Sequence, residues 1–159
     1  MNNKFNEDFF FKILFNYKGV VFGGYIRDMI ANLQPTDIDV VLPSDTFSAF
    51  LNVLTAYGYT SYEMQETGFY LFKKEGHLNV EVGSCQDSST SGIWIGPEAV
   101  PDFDVNLLAY DGIKLYNWVN PDAGDIFQII SNIHKRQAVA YEPGEDRVLK
   151  MRRKGYTIL

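Results

Sequence analysis

The sequence predicts an α+β domain, a small mixed β-sheet flanked by helices, on three observations. Short apolar or alternating runs at 20–22, 37–42 and 78–82 have the period of strands. Two segments, 6–17 and 47–57, space their apolar residues at helical intervals. Glycine and proline separate these runs at the distances expected of short connections.

Residues 6–17 read as a helix with a buried aromatic face. Val20-Val21-Phe22 reads as a strand that ends at Gly23-Gly24. Glycine lacks the Cβ that would block close approach of a ligand to the turn. A helix is expected over 25–32, with its free N-terminal amides and positive dipole end facing that turn, where an anion is stabilised. Pro35-Thr36 marks a turn, and 37–42 alternates acids with aliphatic residues before Pro43 stops it. The helix over 47–57 has Ser44 and Asp45 as capping candidates. Strands are expected over 59–64, 69–73 and 78–82, with Gly68 and Gly76 between them. The stretch 83–92, GSCQDSSTSG, is small and polar and reads as a loop, either an unused surface segment or one that closes over substrate. A strand over 113–118, a helix over 125–133, a short extended piece over 138–141 and a basic terminal helix complete the chain.

Asp37 and Asp39 lie two apart on a strand and project from one face, roughly 7 Å apart along the chain. Carboxylate oxygens suit Mg²⁺ or Mn²⁺ while leaving coordination positions for substrate phosphates. An isolated Asp-x-Asp is commonly a solvated strand end; the glycine pair upstream favours the metal-binding reading. In 78–82, Leu78, Val80 and Val82 are apolar, so Glu81 projects to the opposite face with Asn79.

Composition supports a single domain. The 159 residues are 46% hydrophobic and 15% aromatic, enough to bury a substantial core. No apolar stretch approaches the roughly 18 residues of a membrane span. Acids precede the run Phe9 to Phe15 and Lys12 interrupts it, which argues against a signal peptide and against membrane docking. The single cysteine, Cys85, forms no internal disulfide, and with His77 and His134 far apart the chain has no zinc pattern. A reducing, cytoplasmic setting is expected. The formal net charge of −6 hides an asymmetry: residues 135–154 hold seven of the fourteen Lys and Arg against three acids. The acidic remainder would repel extended duplex nucleic acid. The basic end suits a triphosphate or the last phosphates of an RNA end, or is a solvated helix face. Within it Arg147 and Lys150 lie near i and i+3, so both can face one ligand.

The segment FGGYIRDMIANLQPTDIDVVL, residues 22–42, resembles the opening motif of the head domain of class II CCA-adding enzymes and bacterial poly(A) polymerases, in the DNA polymerase beta-like nucleotidyltransferase superfamily. Asn79-Val-Glu81-Val-Gly83 is similar to the family's Val-Glu-Val strand, and Asp102-Phe-Asp104-Val-Asn106-Leu resembles its Arg-Arg-Asp-Phe-Thr-x-Asn motif. The resemblance spans about residues 20–155. It departs where the family carries two arginines and this chain has Val100-Pro101. Glu145-Asp146-Arg147 matches the family's Glu-Asp-x-x-Arg motif only loosely, with the arginine two positions early.

The resemblance implies a nucleotidyltransferase head domain over residues 1–159, without the neck, body and tail regions of such enzymes. It implies a metal-dependent transfer of NMP from NTP to a hydroxyl acceptor. Asp37, Asp39 and Glu81 would hold the metal; Asp102, or Asp104, which stands where the family usually has threonine, would compete with Glu81 as third carboxylate. An alternative for Asp102 is a helix cap near Val105. Gly23 and Gly24 would bind β and γ phosphates, with Arg27, Asp28, Asn106, Arg147 and Lys150 as further nucleotide-binding candidates. Arg27 would pair with phosphate, or form an ion pair with Asp28 or Asp37; Asp28 would position Arg27 or a metal-bound water. An RNA 3′ end is the expected acceptor. A protein side chain or small molecule, or a nucleotide-binding protein without catalysis, are the alternatives.

Overall fold

The computed structural model describes residues 7–64, 69–85, 88–89, 92–93, 102–120 and 125–159. Seven strands form one mixed sheet. In chain order these are β1 (Val20–Phe22), β2 (Asp37–Pro43), β3 (Thr60–Met64), β4 (Phe69–Lys73), β5 (Asn79–Cys85), then β8 (Leu108–Tyr110) and β9 (Leu115–Asn117), in the spatial order β3-β4-β5-β2-β1-β8-β9. Only β2 and β5 run parallel; every other neighbouring pair is antiparallel. Two small pairs lie outside the sheet: β6 (Ser88–Ser89) with β7 (Gly92–Ile93), and β10 (Gln137–Ala138) with β11 (Thr157–Ile158).

The central strands alternate as read. Ile38, Val40 and Leu42 of β2, with Val80 and Val82 of β5, are buried on one face, against α1 (Asp8–Asn16) and α3 (Ser44–Ala56). Phe10 and Leu14 of α1 and Phe50 and Leu54 of α3 are buried there, with the Phe10 and Phe50 rings 6.0 Å apart edge to face. Each fully buried Phe or Leu contributes roughly 1.5–3 kcal/mol, so this aromatic seam is a principal source of stability. An apolar cavity of about 430 Å³ opens on the same side, between α1, α2 (Gly24–Ile30) and Val21 of β1. Period two puts it on the sheet face opposite Phe22 and Asp39.

Several expectations shift in the structure, each for a local reason. Neither Ser44 nor Asp45 caps α3; Pro43 is the N-cap and no side-chain cap bond forms, although Asp45 in the first turn favours the helix dipole. The strand expected over 113–118 contracts to Leu115–Asn117, because Asp111 Oδ1 accepts the Ile113 and Lys114 N–H groups and closes a turn. The helix expected near Val105 is one 3₁₀ turn, Asp104–Asn106. Part of the expected loop is strand, since β5 stays paired with β2 through Cys85 opposite Pro43. Residues 86–87 and 90–91 of that stretch, like Val100 and Pro101, lie outside the described residues. The helix α4 (Ile126–Lys135) and the basic helix α5 (Glu145–Arg153) form near their expected positions. Among the described residues no helix is long and apolar enough to cross a membrane.

Candidate active site

The turn after β1 demands glycine. Gly23 adopts φ 75° and ψ −137°, a conformation a side chain strongly disfavours. Its N–H donates to the Leu108 carbonyl at 3.0 Å, which pins the turn to β8 just before α2 begins at Gly24. A Cβ placed on Gly23 would stand 4.0 Å from Asp39 Oδ2. The glycine turn and the β2 carboxylate therefore border the same space.

Strand register assembles the acids. Phe22, Asp39, Glu81 and Leu71 form one row across β1, β2, β5 and β4, with Asp39 directly opposite Glu81 and Asp37 opposite Asn79. Parallel neighbours stand about 4.8 Å apart, and Asp37 shares the face of Asp39 by period two. Burial first, then the charges of Glu81 and Asp37 and a hydrogen bond with Glu81, push the Asp39 carboxyl from its ordinary 3.8 up to about 8; the Lys150 ammonium pulls it back down. Crowded carboxylates of this kind need a proton or a cation between them. Among the described residues no three His, Cys, Asp or Glu are already drawn together at metal-holding geometry. Asp39 and Glu81 stand opposite each other in register, close enough for their charges to act on one another. Their oxygen-only donor set suits a hard divalent cation, whose charge would relieve their mutual repulsion.

A second polar assembly lies beside the glycine turn. Arg27 and Asp28 of α2 are buried, at 3% and 2% exposure. Arg27 donates from Nε to Asp28 Oδ1 at 2.9 Å and from one terminal nitrogen to Asn106 Oδ1 at 2.6 Å. The guanidinium that the sequence offered to phosphate thus meets protein partners, and the ion pair with Asp28 is formed. Asn106 Nδ2 donates to Asp102 Oδ1 at 2.8 Å, and Arg147 Nε donates to Asp102 Oδ2 at 2.7 Å. Burial raises the Asp102 carboxyl, but the Asn106 and Arg147 hydrogen bonds and the Arg147 charge outweigh it and hold it below the ordinary carboxylate value. Asp104 is also engaged: Asn132 Nδ2 of α4 and the Val139 N–H both donate to it at 2.8 Å.

Of the sequence-predicted residues, the fold brings together Gly23, Gly24, Asp37, Asp39 and Glu81, with Lys150 close enough to act on Asp39. Arg27, Asp28, Asn106, Asp102 and Arg147 form an adjoining network. Asp104 ties α4 to the 3₁₀ turn instead. Sequence reasoning missed Lys154, whose Nζ donates to Asp28 Oδ2 at 2.8 Å, and Met151, whose sulfur stands 3.4 Å from Arg27. The spacing 147, 151, 154 along one helix face was the available signal.

Comparison with solved structures agrees on the fold. A CCA-adding enzyme in complex with CTP superposes with a TM-score of 0.63 at 15% identity, over 96% of this chain and 40% of that one. A CCA-adding enzyme with ATP gives 0.62 at 14%, over 99% and 41%. The Thermotoga maritima CCA-adding enzyme complexed with tRNA_CCA gives 0.63 at 16%, over 94% and 38%. The chain spans about two fifths of the length of these enzymes and shares its fold with that portion. No family model and no curated protein matches the sequence.

Proposed function

We propose that this chain is a nucleotidyltransferase that moves NMP from an NTP to a hydroxyl acceptor, most favourably an RNA 3′ end. The observation that carries the reading is the register of Asp39 against Glu81, with Asp37 on the same face, beside the Gly23 turn. Solved enzymes of the same fold are complexes with CTP, ATP and tRNA_CCA. Asp37, Asp39 and Glu81 would hold Mg²⁺ or Mn²⁺, which when bound activates the attacking hydroxyl and neutralises developing phosphate charge.

The remaining chemistry belongs to the chain. The Gly23-Gly24 turn, free of Cβ atoms, lets β and γ phosphates approach the backbone. Lys150 supplies a positive charge on the same side, countering both the carboxylates and the triphosphate. By holding the cation, Asp39 and Glu81 would orient the α phosphate toward the acceptor, so that the new P–O bond forms as the bond to pyrophosphate breaks and the hydroxyl proton passes to water. Arg27, Asp28, Asn106 and Asp102 brace the turn and the facing helix rather than contacting substrate. The acidic surface before residue 135 confines acceptor contact to the end of an RNA strand.

Incubation with each labelled NTP and Mg²⁺, with tRNA or with total protein, tests the reading. Label is expected in RNA and absent with Asp39→Asn, a loss of at least about 10²-fold. Label confined to protein would reassign the acceptor, and full transfer by Asp39→Asn would remove the metal assignment.

A further inference from the structure

Six side chains form a continuous ring that begins at Lys154, the C-cap of α5, and returns to α5 at Arg147. From Lys154 the path runs to Asp28 Oδ2 at 2.8 Å, through Asp28 Oδ1 to Arg27 Nε at 2.9 Å, then to Asn106 at 2.6 Å. It continues from Asn106 to Asp102 at 2.8 Å and returns to α5 through Arg147 at 2.7 Å. The two ends are seven residues apart, which is about two turns or 10.5 Å on one face of a helix. Met151 lies between them, buried, its sulfur against the Arg27 guanidinium. Two anchors on one face fix both the height and the rotation of a helix, where a single ion pair would leave it free to swivel.

Lys150 is the residue this arrangement aims. It stands about 60° round the helix from Arg147, is itself exposed, and directly precedes Met151, whose sulfur lies 3.4 Å from the Arg27 guanidinium that borders Gly24. Both oxygens of Asp28 and both of Asp102 are used within the ring, so none of its acids is left over for a metal.

Resting on the transferase reading, we propose that Arg147 and Lys154 are positioning residues, whose double anchorage of α5 holds the Lys150 ammonium over the Asp37–Asp39–Glu81 cleft to receive the terminal phosphates of the NTP. Arg147 then serves as a strut rather than a nucleotide ligand.

Lys154→Met, Lys150→Met and the double variant test this in the full chain, with amide hydrogen exchange of α5 and MgATP binding as readouts. Lys154→Met leaves Asp28 its Arg27 partner, so the fold persists. Losing one charged hydrogen bond is expected to raise α5 exchange roughly tenfold and to weaken MgATP binding severalfold. Lys150→Met is expected to weaken MgATP binding roughly tenfold without changing α5 exchange. The double variant should bind no more weakly than Lys150→Met, because Lys154 acts through Lys150, and Lys154→Arg should restore both readouts. Unchanged α5 exchange in Lys154→Met, or losses that multiply in the double variant while the unsubstituted chain binds and transfers normally, would overturn the positioning role alone. An unsubstituted chain that binds no MgATP would overturn the Lys150 assignment together with the transferase reading.

Discussion

Asp39 shows how burial beside other acids strains a single residue. Burial and two neighbouring acids hold its carboxyl up to about 8, against an ordinary 3.8. In the cation-free protein the folded state therefore binds the proton more tightly than the unfolded chain. This contribution to stability is fully present below the ordinary value and is lost as pH rises through about 8. The melting temperature of the metal-free protein is expected to fall over that window, and Asp39→Asn is expected to flatten the dependence and to melt higher than wild type at pH 8. Thermal melts of both proteins across the range check this; parallel curves would contradict it. Asp102 has the opposite sign: its lowered value makes its contribution one that disappears as pH falls.

At the scale of elements, α2, α4 and α5 meet at the 3₁₀ turn and the residue two before it, through Asn106, Asp104 and Asp102. Asp104 binds Asn132 and the Val139 N–H, and is buried at 6% exposure. Asp104→Ala would strand both donors, at a cost of about 1–3 kcal/mol. Urea unfolding should show that loss while transfer per folded molecule at low temperature is retained, in contrast to Asp39→Asn. Equal loss of transfer in Asp104→Ala would restore Asp104 as a candidate third carboxylate. The glycine turn, the Asp-x-Asp strand and the Glu81 strand were legible in sequence because period two and backbone freedom are local properties. The partners of Asp102 and Asp104 were not, since their hydrogen bonds span up to 45 residues and depend on how α4 and α5 dock. The turn that shortened β9 was visible in Asp111-Gly112, but strand propensity in the residues after it masked the signal.

For the molecule as a whole, charge is partitioned: residues 135–154 are basic and the rest of the chain is acidic. Two of the seven cations there, Arg147 and Lys154, are spent on internal carboxylates. On the proposed reading, an RNA 3′ end would meet only a few cations not paired within the protein, among them Lys150, Arg152 and Arg153, which are exposed. Its affinity is expected to fall with salt with a shallow log–log slope, about −1.4 to −2.1, for two or three phosphates neutralised on a single strand. Fluorescence anisotropy with a short labelled RNA checks this, and a slope steeper than about −4 would indicate a broad nucleic-acid surface that the charge distribution does not provide. The proposed cation-assisted binding of NTP rests on the register of Asp39 against Glu81 beside the Gly23 turn. A crystal of the protein grown with Mn²⁺ and a non-hydrolysable NTP analogue tests it most directly, through the anomalous signal of the metal. Density for Mn²⁺ among Asp37, Asp39 and Glu81, with the triphosphate against the Gly23 turn, is expected; analogue bound elsewhere, or those three side chains directed to solvent with no anomalous peak between them, would contradict it.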